Sequence, residues 1–196
     1  MLEFEVKAML SAPEYVFLRT HYFQKSTTVT QKNYYYDTKD FELNHQGITC
    51  RIREKNGDFL ATIKDHQPHG CSIETSRPVK NSCDTSFFEG MGLSLQGELI
   101  THRTSYKTET GLFMELDENR YLGTVDYELE CEFDPQSRSE LYRGISKLAE
   151  DMERHDIIKS AEEFQKRFTD GTSKSGRFFK RKKELQLFTK HNSILI

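Results

Sequence analysis

Residues 3–7 read Glu3-Phe4-Glu5-Val6-Lys7, EFEVK, and the way this stretch is read decides the fold. Charged and apolar side chains alternate at strict period two, the spacing of a strand whose successive side chains point to opposite faces. One face carries Glu3, Glu5 and Lys7; the other carries Leu2, Phe4 and Val6. Five such residues alone describe an ordinary half-buried strand with a solvated outer face. The rest of the chain repeats the pattern. In YELECEF (127–133), Glu128, Glu130 and Glu132 share a face opposite Leu129, Cys131 and Phe133. Arg51 and Arg53 flank Ile52, Thr62 and Lys64 flank Ile63, and Arg103 and Lys107 fall on one face of THRTSYK (101–107). Apart from the mixed first strand, each charged face is dominated by one sign.

Like charges at this spacing repel, and directly paired like charges destabilise a sheet. A merely solvated surface would mix its signs. A bound polyanion with divalent cations balances such faces, because carboxylates on one wall hold metal while Lys and Arg on the other hold phosphate oxygens. The apolar faces then point outward under helices, and the strands enclose a charged lumen, the inverse of the usual small-barrel core.

The remaining elements fit that picture. Ser11 and Glu14 form a capping box ahead of the helical stripe Tyr15, Leu18 and Tyr22. A strand rich in β-branched and aromatic residues follows at 28–38, then a short helix or turn closed by Gly47. Strands at 48–54 and 59–65 are joined by an Asn56-Gly57 hairpin. The stretch GCSIETSRPV (70–79) reads as another strand, ending before Pro78, and residues 80–95 read as mixed with helical character. Three more strands are expected at 97–108, 112–122 and 125–133, with turns at Glu109-Thr110-Gly111 and Gly123-Thr124. Ser137 and Glu140 make a second capping box before the stripe Leu141, Ile145, Leu148 and Met152, and SAEEFQKRF (160–168) is a last short helix. The sum is an α+β fold, an eight-stranded antiparallel β-barrel with helices packed outside.

A chain of 196 residues suits one folded unit of this kind. We divide it into a tunnel domain at 1–170 and a basic C-terminal tail at 171–196, expected to be solvated or partly disordered. Residues 172–191 hold seven Lys or Arg against one Glu; with a net charge of −3 overall, that segment carries +6 and the remainder −9. Such a balance points away from a nucleic-acid binder. Cys50, Cys71, Cys83 and Cys131 form no C-x-x-C pair, which argues against a zinc knuckle or redox pair. No segment resembles a signal peptide, and no apolar run approaches the ~18 residues needed to span a bilayer. A cytoplasmic location with reduced thiols and no membrane partner is expected. His66-x-x-His69 reads as part of a solvated turn rather than a metal site, and Tyr34, Tyr35 and Tyr36 as outward tyrosines under a helix rather than a stacking platform.

At this point the residues resemble a family. Glu3-x-Glu5-x-Lys7, Tyr35-Tyr36-Asp37-Thr38, Arg51-Ile52-Arg53, Thr62-Ile63-Lys64, Leu116-Asp117 ahead of Tyr121-Leu122-Gly123, and Glu128-Leu129-Glu130 stand in the order found in the CYTH superfamily. Its members are the triphosphate tunnel metalloenzymes, which include thiamine triphosphatase and class IV adenylyl cyclase. The resemblance covers roughly residues 1–168.

It implies a tunnel binding a small-molecule triphosphate and one or two Mg²⁺ or Mn²⁺ ions. Glu3, Glu5, Glu128 and Glu130 match the metal-side acids, and Lys7, Arg51, Arg53, Lys64 and Arg103 the phosphate-side bases, with Glu5 and Lys7 at the chemistry. Glu74, Asp117 and Glu132 are further lumen candidates. Cys50 stands where many members have Leu, and Thr101 where many have Lys. The family's late lysine has no clean counterpart, Lys159 and Lys166 both being candidates. The implied activity is metal-dependent hydrolysis of triphosphates, inorganic triphosphate first. A class IV-type adenylyl cyclase and a non-catalytic polyphosphate or triphosphate sensor are the alternatives, and both monomer and homodimer are compatible.

Overall fold

The computed structural model describes residues 2–193 apart from 69–70, 109–111, 135, 137 and 170; of residues 2–3 and 189–193 only the backbone is described. The turn at Glu109-Thr110-Gly111, the cap Ser137, and His69 therefore lie outside the described residues, as does the side chain of Glu3.

Eight strands close into a barrel: β1 (Leu2–Leu10), β2 (Thr28–Asp37), β3 (Ile48–Lys55), β4 (Asp58–Gln67), β5 (Cys71–Val79), β6 (Ser94–Lys107), β7 (Phe113–Tyr121) and β8 (Thr124–Glu132). Around the barrel they run β1-β5-β4-β3-β2-β6-β7-β8, and every neighbouring pair is antiparallel. The hairpin between β3 and β4 turns on Asn56 and Gly57, both at positive φ (54° and 87°), as that dipeptide demands. Between β7 and β8 the turn falls on Leu122-Gly123 (φ 45° and 73°), one residue earlier than expected. Residues 80–95 form a single 3-10 turn, Thr85–Phe88, before β6 starts at Ser94. β5 runs through Pro78 to Val79 rather than stopping short of it.

Helix α1 (Ala12–His21) begins on the expected capping box: Ser11 N–H donates to Glu14 Oε2 at 2.6 Å, and Glu14 N–H to Ser11 Oγ at 3.5 Å. Helix α2 (Glu42–His45) is one short turn; α3 (Arg138–Arg154) and α4 (Ala161–Lys166) follow the last strand. α1, α3 and α4 cover the outer faces of β1, β7 and β8. Leu18, Leu116, Leu129, Cys131, Leu141, Leu148 and Met152 meet there in the larger apolar core. A second outer core gathers Tyr36, Cys50, Ile52, Ala61 and Phe88 over β2, β3 and β4. The apolar faces therefore point outward, and the charged faces line the lumen.

Residues 172–191 correct the expectation of a solvated tail. Lys174–Ser193 form helix α5, and its first turns enter one end of the barrel. Phe178 and Phe179 are buried against Tyr35, Phe41, Leu99 and Tyr121, with the Tyr35 and Phe178 ring centroids 5.0 Å apart. A β-bulge between Tyr35 and Tyr36 brings Gly97 opposite Tyr35. A Cβ at Gly97 would lie 2.8 Å from the Phe178 ring, so this position must be glycine for the helix to seat. Burial of two adjacent phenylalanines, worth roughly 1.5–3 kcal/mol each, explains why a segment this basic is ordered.

Candidate active site

Strand pairing sets opposite charges against one another inside the lumen. Lys7 lies across from Glu130, Arg103 from Asp117 and Lys64 from Glu74. Where like charges do face, as Glu115 with Glu130 and Asp117 with Glu128, cations from elsewhere intervene. Arg103 donates to Asp117 Oδ1 (2.9 Å), Asp117 Oδ2 (2.6 Å) and Glu130 Oε2 (2.5 Å), and pairs with Glu115. Lys7 Nζ lies 2.9 Å from both Glu5 Oε1 and Glu130 Oε1.

Helix α5 completes this network. Lys174 Nζ sits among Glu128 (2.6 Å), Asp117 (2.9 Å) and Glu130 (2.9 Å). One turn on, Arg177 clasps Asp126 and Glu128, and Asn119 Nδ2 donates to Glu128 Oε1 at 2.8 Å.

The cavity in the lumen has a volume of about 110 Å³. Of the expected residues, Glu5, Lys7, Arg51, Arg53, Lys64, Glu74, Arg103, Glu130 and Glu132 line it. Asp117 and Glu128 are fully buried behind its wall, clasped by their cations. Glu3 stands on β1 opposite Ser72. Sequence reading missed Glu115 and Lys174, which also line the cavity. For Glu115 the signal was available, since Glu115, Asp117 and Asn119 continue the period-two pattern along β7. Lys174 is a lysine late in the chain that reaches the lumen. Lys166 is instead exposed and paired with Glu162 at 2.5 Å, and Lys159 is exposed. Thr101 is buried, donating to Asn119 Oδ1 at 2.8 Å.

Two placements differ from the sequence reading. His66 is on β4, facing the lumen with Nε2 3.2 Å from Thr49 Oγ1, not in a solvated turn. Tyr35 points into the barrel against Phe178 and Phe179 rather than outward; Tyr36 does point outward, onto Phe88.

The acids and bases are unequally satisfied. Glu130 and Glu128 are buried, which disfavours their charge, yet Lys174 with its neighbouring cations overrides burial: Glu130 stays well below the usual carboxylate range and Glu128 falls to about 2. Glu115 is pushed up to about 7 by burial, against the pull of Arg103 and with the help of Glu130 and Asp117. Two of the bases, Arg53 and Arg51, are less fully satisfied. Arg53 makes no ion pair among the described residues, and its Nε donates to Asn33 Oδ1 at 3.0 Å. Burial, then the like charges of Arg51 and Arg103, pull its pKa down to about 9. Arg51 reaches Glu74 at 3.7 Å, but its Nε is buried without a hydrogen-bond partner.

The donor chemistry of the acidic side suits a hard divalent cation, because carboxylate oxygens are the ligands such ions take. Among the described residues no three acidic, His or Cys side chains converge as a ready cluster, since Lys7, Arg103 and Lys174 already hold the oxygens. A wider mouth of about 670 Å³ opens beside α5. Hydroxyls, amides and glycines line it, among them Asn44, Gly47, Gln67, Ser72, Thr172 and Gly176.

Comparison with known proteins agrees with this architecture. The CYTH domain matches residues 1–159. A Bacillus subtilis (strain 168) protein named "Putative triphosphatase YjbK" is 32% identical over 148 residues, covering 67% of this chain and 77% of its own. The structure of a protein described as "a putative adenylate cyclase" from Bacillus halodurans superposes with a TM-score of 0.61 at 25% identity, over 80% of this chain and 90% of that one. A Hippeastrum structure titled as a "putative adenylyl cyclase" with a dominant triphosphatase activity shares the fold at a TM-score of 0.56 and 22% identity, over 74% and 86%. This chain belongs to the CYTH domain family.

Proposed function

We propose that this chain is a metal-dependent hydrolase of triphosphates, with inorganic triphosphate as its first substrate. The observation that carries the reading is the imbalance of the lumen: Glu5, Asp117, Glu128 and Glu130 are engaged by cations, while Arg51 Nε is buried without an acceptor and Arg53 meets no carboxylate among the described residues. Buried donors left this way are costly unless an anion completes them. The similarity to the Bacillus subtilis relative supports the same activity.

Arg51, Arg53, Lys64, Arg103 and Lys7 would hold the phosphate oxygens and neutralise charge developing on the bridging oxygen. Glu5 and Glu130 are the carboxylates that would hold Mg²⁺ or Mn²⁺, and Glu128, buried behind the wall, would support Glu130 through their shared cation Lys174. Such an ion polarises phosphate oxygens and lowers the pKa of bound water. Lys7, between Glu5 and Glu130, orients both carboxylates and reaches the cavity. Glu74 and Glu132 would position the bases around the chain of phosphates. Among the described residues the mouth is lined by hydroxyls, amides and glycines with the His66 imidazole, a lining suited to a phosphate chain.

The setting we infer is cytoplasmic. All four cysteines are unpaired, and no described helix is long and apolar enough to cross a membrane. A panel of inorganic triphosphate, ATP and thiamine triphosphate with Mg²⁺ or Mn²⁺, scored for phosphate, diphosphate and cyclic AMP, tests the function. Phosphate and diphosphate from inorganic triphosphate is the expected result. Cyclic AMP from ATP as the main product, or tight binding without turnover, would overturn it.

A further inference from the structure

Hydrolysis of a phosphoanhydride at neutral pH has to dispose of a proton. The oxygen of water bonds to phosphorus, the bridging O–P bond breaks with its electron pair on the leaving phosphate, and a proton of the attacking water goes elsewhere. Most lumen carboxylates are poorly placed to take it. Glu5 and Glu130 accept from Lys7, Glu130 also from Arg103 and Lys174, and both are held below the usual carboxylate range. Glu115, the carboxyl with the higher proton affinity, is already paired with Arg103 and accepts from Ser105.

An imidazole stands at the neck of the tunnel instead. His66 Nε2 is 3.2 Å from Thr49 Oγ1, which is 2.7 Å from Ser175 Oγ, which is 2.9 Å from Ser173 Oγ. These residues line both the lumen cavity and the wider mouth. They form a continuous chain of exchangeable hydroxyls where the two spaces meet. The elements around His66 supply Lys64 from β4, Lys7 and Glu5 from β1, Arg51 from β3, and neutral Ser72 from β5. Burial first, then the cations Lys64, Lys7 and Arg51, hold the ring neutral, with its pKa down at about 4. Its lone pair is thus available at neutral pH. A triphosphate carries more negative charge than one divalent cation balances, so lodged on those same cations it would raise the ring's proton affinity while substrate is present.

We propose that His66 is the proton acceptor of this site, receiving the proton of the attacking water through the Thr49 hydroxyl, with Ser175 and Ser173 forming the route from the neck to the mouth. In the transfer, Thr49 Oγ takes the water proton as its own passes to Nε2, and the imidazolium releases it to solvent after the phosphate leaves. The role rests on the triphosphatase reading and adds a positioning residue to it.

The test combines a binding isotherm for inorganic triphosphate with Ca²⁺, an NMR titration of the His66 ring assigned with His66→Gln, and pH–rate profiles. Binding should raise the His66 pKa by at least ~1. His66→Gln should lower kcat by roughly 10²-fold, leave KM within about threefold, and remove the acid limb of kcat. Thr49→Val should lower kcat similarly while the NMR shift of His66 on binding persists. Triphosphate that binds without moving the His66 titration, or a His66→Gln enzyme with the parent's pH profile, overturns the proposal. Absence of triphosphate binding overturns the function itself and this role with it.

Discussion

Replacing Arg53 by alanine should weaken the complex without weakening the empty protein. Arg53 has Asn33 as its side-chain partner and no carboxylate among the described residues, and burial with its two arginine neighbours brings its pKa down to about 9. A base whose folded pKa is depressed destabilises the native state at every pH below that value, so the penalty is present in full at neutral pH. The effective dielectric around such groups is near ~20, which moderates that penalty. About 1–2 kcal/mol is the remaining cost. Removing Arg53 leaves Asn33 Oδ1 to water that fills the vacated space, which returns up to about 1 kcal/mol. The variant without ligand should therefore melt at the parent's temperature or up to ~4 °C above it. Its complex loses charge-assisted hydrogen bonds worth about 2–3 kcal/mol, which is roughly 30- to 150-fold in Kd. Calorimetric titration with inorganic triphosphate and Ca²⁺, beside thermal unfolding without ligand, measures both. Unchanged affinity, or a melting temperature several degrees lower, would show that Arg53 supports the barrel rather than the ligand.

Glu5→Gln should reduce turnover by at least ~100-fold at a melting temperature close to the parent's, because one carboxylate oxygen is lost and Lys7 keeps Glu130. Glu130→Gln should match that loss of turnover and also cost about 3–5 kcal/mol in urea unfolding, since Lys7, Arg103 and Lys174 all lose a buried counter-charge. Lys174→Met should loosen α5, read as faster proteolysis within residues 172–188, because Asp117, Glu128 and Glu130 then repel with one cation fewer. Glu115, held at about 7, retains a proton that the unfolded chain gives up near ~4.3. Its contribution to stability thus falls as pH rises from ~4.3 to 7. Glu128, held at about 2, has the opposite sign and is lost as pH falls below ~4.3. Glu115→Gln should flatten the decline between pH 5 and 7 by about 1–3 kcal/mol in chemical unfolding, and an unchanged slope would count against the raised value.

The strands were legible because each repeats one period. EFEVK, CRIRE and YELECEF declare by alternation alone which side chains face together, and Lys7, Glu130 and Glu5 meet as that alternation requires. What alternation cannot supply is register. Whether Arg103 faces Asp117 or a residue two positions away depends on the register in which β6 and β7 pair. Hence the same residues read as an acidic wall and a basic wall in sequence, yet interlock as cross-strand pairs in the barrel. His66 was misread for a local reason. DHQPHG carries Pro68 and Gly70, which signal a turn, but the strand persists to Gln67 and turns the imidazole inward.

Helix α5 escaped because its inward face is too short to show a period. Lys174, Arg177 and Phe178 fall on one side over little more than a turn, and the run of cations after them dominates the composition. The signal that existed was a sum over the chain rather than a motif. Residues 172–191 carry +6 and the remainder −9, which leaves a barrel lined with excess acid unless cations come from outside its strands. Lys174 and Arg177 are those cations, and they go to the two deepest acids, Asp117 and Glu128, and to Glu130 and Asp126 beside them. Their placement is what frees the rest of the tunnel. With the buried carboxylates neutralised from the α5 end, Arg51 and Arg53 are not drawn onto them, and two guanidinium groups stay directed into the cavity where phosphate oxygens can meet them. A basic helix at one end of the barrel thus keeps the basic wall at its centre available for an anion.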